Sequence, residues 1–333
     1  MSATVGQGTQ KHGIAALPLA TYIGKRVLGA ICVLLAGTLI VFLTMKAAPG
    51  DPALAALGEQ APPEAIAAFR AEHGLDRPVV EQYLSWLGSA LTGDFGTSLT
   101  LAKGQSVAGL IGSKLPVTLF IGLYAMVIAL AISFVLGTIA ALRRGHAADT
   151  IATSIAVFGI SMPDFWLSYV LIFGLSLGLG LFPAYGYVAP SVSFPGALHA
   201  GFLPALAIAA PMAAVFARTL RAVLIETMGR PYVTAARSFG LERHFIFLQF
   251  VFRNALVPYL TVIGLQIRYI LGGVVVVEKI FGIPGIGSLM VDSAFARDFP
   301  VLQACTVTFL AIVLFVNMLT DLICAALDPR RSR

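Results

Sequence analysis

Charge is scarce in this chain. Of 333 residues, 11% are Asp, Glu, Lys or Arg and 58% are hydrophobic, and the mean hydropathy is +0.89. A soluble domain carries about 25% charged residues. The polar surface needed to face water all round is missing, so the chain belongs in a bilayer. Cysteine is scarcer still. Cys32, Cys305 and Cys324 all lie in apolar runs, and their spacing fits neither a zinc site nor a disulfide framework. Sequence signatures of self-sufficient chemistry are absent too. No phosphate-cradling Gly, four residues, Gly-Lys-Ser/Thr loop occurs, and the nearest fragment, Gly112-Ser113-Lys114, lacks the spacing. ATP hydrolysis by that route is excluded. No His-Glu-x-x-His occurs and His12, His73, His146, His199 and His244 are scattered, so no metal site is expected. No Gly-x-Ser-x-Gly elbow supports a serine hydrolase, and no inverted repeat of the kind found in secondary transporters stands out. The net charge of +6 is a topology signal in such a chain, not a nucleic-acid signal.

What is present is a series of apolar runs long enough to cross a core of ~30 Å. Residues 1–24 read as an N-terminal tail. Lys25 and Arg26 precede the first run, Val27 to Met45, giving a first transmembrane helix over 25–46. It is too long for a signal-peptide core of about 7–15 residues. Pro49-Gly50-Asp51-Pro52 then forms a turn that a helix cannot cross. Residues 47–113 form a polar insert, with helices predicted over Pro63–His73 and Val79–Leu91 and a turn at Gly93-Asp94-Phe95-Gly96. The core, 114–327, holds five further spans: Leu115–Leu142, Ile151–Leu181, Gly201–Ala217, Leu256–Val277 and Val301–Leu327. The third run of the chain is interrupted at Ser161-Met162-Pro163-Asp164. Residues 278–299 read as a Gly- and Pro-rich loop, and 328–333 as a C-terminal tail.

Orientation follows from the basic residues. With the N-terminus inside, Lys11, Lys25, Arg26, Arg143, Arg144, Arg218, Arg221, Arg230, Arg237, Arg243, Arg253, Arg330, Arg331 and Arg333 face the cytoplasm, 14 of 22 Lys plus Arg. That is the asymmetry expected of cytoplasmic loops. The expectation is an all-α integral membrane protein with six transmembrane helices, both termini inside, and an extracytoplasmic insert between the first and second helices.

Within the inner loop 218–253, Gly229 to Gly240 reads as a short helix with both ends marked. Pro231 suits the first helical position and Gly240 the left-handed position just past the end. A docking element and a helix lying on the lipid surface fit this stretch equally well. Ionisable residues near the spans are costly, at roughly 2.5–3.5 kcal/mol each at mid-membrane on insertion scales. Arg268 lies near mid-depth of the fifth span, where it would line a polar path, facing a substrate carboxylate or pairing with Asp164 or Glu278, or would serve as a structural ion pair. Ser161 and Asp164 flank the proline break, where freed backbone groups face protein or a water-filled cavity. Glu278 and Lys279 end the fifth span, and Asp321 lies near the inner end of the sixth.

One set of residues, in order along the chain, carries a family resemblance. The set comprises Pro49-Gly-Asp-Pro52, Gly74-Leu-Asp76, Pro78, Tyr83, Gly93-Asp-Phe-Gly96 and Ser98. It continues with Tyr232, Ala236, Arg237, Gly240, Leu241, Asn254 and Pro258. It ends with Gly273, Glu278, Phe281, Pro284-Gly-Ile-Gly287, Arg297-Asp298, Pro300, Asn317, Asp321 and Asp328-Pro-Arg330. From about Arg26 to Arg330 the chain resembles the inner-membrane permease subunits of the dipeptide, oligopeptide and nickel class of ABC importers. The middle group is similar to their "EAA" loop.

The resemblance implies a type I importer permease in the bacterial inner membrane. It implies a homologous second permease forming a heterodimer, two ATP-binding subunits, a substrate-binding protein outside and surrounding lipid, with no nucleic acid. No cofactor is expected in this chain, because ATP and magnesium belong to the partner ATPases, and no enzymatic activity is expected of it. Short peptides are the implied cargo, with nickel-chelate, glutathione or a glycoside as alternatives. An ion-coupled secondary transporter is the alternative from another class. Coupling to the ATPase maps onto Pro231, Tyr232, Thr234, Ala235, Ala236, Arg237, Phe239 and Gly240. Phe239 and Thr234 stand where the family commonly carries basic residues, which makes this docking face more apolar.

Overall fold

A computed structural model describes residues 19–47, 50–58 and 60–327, with the side chains of 19–23, 267, 268, 271, 321 and 323–327 left out of the description. Among the described residues the fold is helical, and a lone antiparallel bridge, Thr97 to Ser106, is its only strand-like pairing.

α1 (Leu19–Ala47) begins inside the segment read as tail, because Leu19 to Ile23 extend the apolar run backwards past Lys25 and Arg26. Long basic side chains of this kind lay their stems along apolar surface while keeping their charge in water. The insert holds α2 (Pro52–Leu57), α3 (Pro63–Glu72) and α4 (Val79–Leu91). The predicted α3 and α4 are both present, and α2 was not anticipated. Asp51 caps α2, its Oδ1 accepting from the Ala53 N–H at 2.9 Å, while its other oxygen pairs with Arg70 of α3. A short hairpin, 97–106, leads into α5 (Val107–Leu142). That helix starts earlier than the 114 boundary because the Ser106 hydroxyl accepts from Gly109 N–H and caps it.

The third apolar run is two helices. α6 (Ala147–Ser161) and α7 (Asp164–Leu171), continued by wider turns to Gly178, meet at 108° across Met162-Pro163. Pro163 has no N–H to donate and disfavours helical geometry in the residue before it. α8 (Phe194–Met228) carries Pro204 and Pro211 without breaking. After α9 (Pro231–Ser238) and α10 (Arg243–Ile246), wider turns at 247–252 lead directly into α11 (Arg253–Phe281). The loop expected at 278–299 is largely a helix, α12 (Ile286–Phe295), bent 78° from the end of α11. Gly282, Pro284 and Gly285 make the corner and leave a ten-residue apolar stretch free to coil. α13 (Phe299–Leu327) closes the chain.

Among the described residues five helices are long and apolar enough to cross a membrane, and the two bent pairs bring the number to as many as seven. Six spans lie within that range. The helices differ sharply in what covers them. In the most apolar window of α8, 78% of residues are buried, against 11% in α1. α8 is the axis of the molecule: Leu203, Ile208, Met212, Phe216, Leu220 and Leu224 are fully buried against α5 and α11. Small residues allow that approach, and a Cβ on Gly137 of α5 would sit 2.8 Å from the Ala217 carbonyl oxygen. Close backbone packing of this kind drives helix association where both lipid and side chains are apolar.

Candidate functional site

Three places carry residues singled out by sequence. The first is the loop helix α9. Arg230 precedes it in extended geometry and Pro231 occupies its first position. Its C-terminus is a Schellman turn. Gly240 N–H donates to Arg237 O at 3.0 Å, Leu241 N–H donates to Ala236 O at 3.4 Å, and Gly240 has φ +73°. Val233 and Ala236 are buried in the main core, fixing one side of the helix. Pro231, Tyr232, Thr234, Ala235, Arg237, Phe239 and Gly240 are all exposed, Phe239 at 83%. Leu241, Phe245 and Leu248 extend the exposed apolar surface. Of the eight residues expected to couple, Ala236 alone faces inward. Val233, its fellow anchor, was missed, although its spacing of three from Ala236 marks one helical face.

The second place is the break at Pro163. Asp164 Oδ1 accepts from the Tyr269 hydroxyl of α11 at 2.8 Å. A Cβ on Gly273 would lie 2.6 Å from Asp164 Oδ2, so the glycine lets the carboxylate reach α11. Ser161, across the break, is exposed and donates to the Val157 carbonyl at 2.9 Å. Asp164 thus lies against α11, while Ser161 stays on the exposed end of α6. Arg268 is in α11, one residue from Tyr269, and its side chain lies outside the described residues, as does that of Asp321.

The third place is Glu278, which is elsewhere. It is fully buried. Its Oε1 accepts from the Thr118 hydroxyl of α5 at 2.7 Å, and its Oε2 from the Ser288 N–H of α12 at 3.0 Å. The Thr118 oxygen in turn accepts from Ile286 N–H at 2.8 Å. One carboxylate therefore satisfies the buried start of α12 and ties it to α5 and α11. Gly285 and Gly287 follow from this. A side chain on Gly285 would collide with the carboxylate, and one on Gly287 would come within 2.6 Å of Val275 Cα. Lys279 points the other way and pairs with Asp292 at the surface.

Two buried-carboxylate arrangements were not singled out. Asp149, buried at the start of α6, receives Arg221 of α8 in a bidentate pair, Nε to Oδ1 at 2.7 Å and Nη2 to Oδ2 at 2.8 Å. Asp298, fully buried, accepts from Ser98 and from the N–H groups of Thr100 and Leu101 at 3.1 and 3.0 Å, binding the insert hairpin to α13. Arg297 beside it adopts φ +55°, a costly geometry for a side-chain-bearing residue. The spacing of Asp149 and Arg221, far apart in sequence, gave no local signal. Among the described residues no three metal-ligating side chains cluster.

Residues 133–333 match the family described as binding-protein-dependent transport system inner membrane component, and residues 19–122 match its N-terminal membrane component. An oligopeptide transport system permease protein of Bacillus subtilis, AppB, is 38% identical over 314 residues, covering 94% of this chain and 99% of its own. The glutathione transport system permease protein GsiC of Escherichia coli is 36% identical, covering 92% of this chain and 97% of its own. Among solved structures, an inward-facing form of the MetNI methionine ABC transporter superposes with a TM-score of 0.55 at 15% identity, over 66% of this chain and 96% of that one. An amino acid ABC transporter gives 0.51 at 17% identity, over 66% of this chain and 94% of that one. At these identities the solved structures speak for the fold.

Proposed function

This chain belongs to the family of inner-membrane components of binding-protein-dependent transport systems, a permease subunit of an ABC importer, and from that premise we propose that it forms half of a pathway for short peptides. The oligopeptide and glutathione permeases among its relatives support that cargo. A homologous second permease supplies the other half. Two ATP-binding subunits, carrying ATP and magnesium, supply the energy, and this chain is not itself an enzyme. A substrate-binding protein delivers from the insert side, so both termini and α9 face the cytoplasm.

The observation that carries the reading is α9. Its inner face is finished by Val233 and Ala236, and its outer face leaves Tyr232, Arg237 and Phe239 exposed without intramolecular cover. Clusters of exposed apolar residues of this kind mark interaction sites. Movement of an ATPase bound there passes into α8 through the core anchors. The bidentate Asp149–Arg221 pair carries it from α8 to α6. The Pro163 break then lets α7 shift with Asp164 against α11. Ser161, Asp164 and Arg268 line the path in this scheme, and Glu278 keeps its outer wall rigid.

The test is reconstitution in liposomes. With the second permease, ATPases and binding protein, the chain supports ATP-dependent uptake of a labelled short peptide. Alone it supports none. Uptake by this chain alone would overturn the reading.

A further inference from the structure

One cleft among the described residues lies away from both α9 and α7. It lies between the end of α1, the insert and the start of α13, with a volume of about 500 Å³. Phe42, Trp86 and Phe299 give it aromatic walls, and Lys46 and Arg77 give it positive charge. Two of its lining donors have no partner. Gln303, 6% exposed, leaves its Nε2 unpaired, and Trp86 leaves its indole Nε1 unpaired. A buried donor left unmade costs about 1–3 kcal/mol, and the two stand in one cleft. Glu72 and Asp94 line it as well. Asp94 Oδ1 accepts from Gly96 N–H at 2.9 Å, and Glu72, exposed at the rim, offers a carboxylate to an incoming cation.

We propose that this cleft binds the zwitterionic phosphate headgroup of a phospholipid from the leaflet on the insert side. The phosphate oxygens accept from Gln303 Nε2 and Trp86 Nε1 beside Lys46 and Arg77, and the amine faces Glu72. The position favours a lipid. The cleft opens where α1 ends, α1 is the least covered of the five long apolar helices among the described residues, and aromatic residues with polar tips sit at headgroup level. The bound lipid ties α1 and the insert to α13 without entering the path beside α7. The inference stands apart from the peptide assignment and survives its failure.

The test is native mass spectrometry of the permease purified with its accompanying subunits, delipidated and titrated with dioleoyl-phosphatidylethanolamine. Diacylglycerol and soluble glycerophosphoethanolamine serve as comparison probes. The expected result is one tightly retained phosphatidylethanolamine, bound roughly tenfold more weakly, about 1.4 kcal/mol, after Gln303→Leu and again after Trp86→Phe. Trp86→Phe keeps the ring and decides the matter if Gln303→Leu does not assemble. Retention of the soluble headgroup but not the lipid overturns the lipid source and leaves a free zwitterion as the ligand. Equal binding by all variants, or equal retention of diacylglycerol, overturns the proposal and leaves a water-filled cleft.

Discussion

The corner at Glu278 and the loop helix α9 each carry family residues in sequence and are physically opposite. At the corner every motif residue serves another. Glu278 is fully buried, Thr118 and the N–H of Ser288 occupy its oxygens, and Gly285 exists because the carboxylate needs its space. At α9 two residues serve the core and the rest face outward. Family residues at a self-satisfied corner report on rigidity. Family residues on the uncovered helix are, in our proposal, those that meet a partner. A buried carboxylate inside a membrane protein is a functional candidate by default. Here its partners show that it holds architecture together.

The comparison breaks first at the corner. Glu278→Ala strips the acceptor from at least two buried donors, at about 1–3 kcal/mol each. It should lower thermal stability of the purified permease by several degrees or prevent assembly. Gly285→Ala should do the same by collision. Melting temperatures and recovered yield measure this, and a wild-type melting curve for either would deny the corner its structural role. Next comes Gly240→Pro. Proline holds φ near −65° where the native residue has +73°, and it removes the N–H given to Arg237. Insertion and yield should be preserved while uptake falls to background.

Asp149→Asn should cost less. It removes the charge that makes the Arg221 pair strong, since hydrogen bonds between two ionised partners are the stronger kind. Uptake should drop while ATPase binding persists, if the pair relays α8 to α6. The smallest effect is expected in the insert. Partial burial of Asp51 disfavours its charge, but Arg70 and the N–H groups of Ala53 and Leu54 outweigh that and hold its carboxyl below the ordinary value. A carboxyl depressed in the fold adds stability above its unfolded pKa, about 3.9, and loses it as pH falls further. Protease resistance of the insert should therefore be flat from neutral pH to about 5 and weaken below about 4. In Asp51→Asn that acid step should shrink.

Much of this was legible in the residues alone. The spans, α3, α4 and both ends of α9 follow from period, proline and glycine, because local chemistry decides them. The exposed face of α9 was readable for the same reason, since exposure along a short capped helix follows its own period. Glu278 was expected beside the path, and its burial against Thr118 and Ser288 was not foreseen, because depth along a helix can be counted but its facing cannot. Its partner Thr118 lies 160 residues away. Asp149 with Arg221 and Asp298 with Ser98 were invisible for that reason also, and α12 was hidden by the glycines and proline that form only its corner.

The central claim is that α9 is an unfinished surface completed by an ATPase. It is tested most directly by cross-linking. Phe239→Cys, in a background without the three native cysteines, is treated with a short thiol-to-thiol linker in membranes containing the ATPase subunits, themselves carrying scanned surface cysteines. The account predicts a permease–ATPase adduct from position 239 whose yield changes on ATP addition, with no adduct from a cysteine placed at Lys279. An assembled, ATP-hydrolysing complex that gives no adduct from position 239 at any scanned site would contradict it.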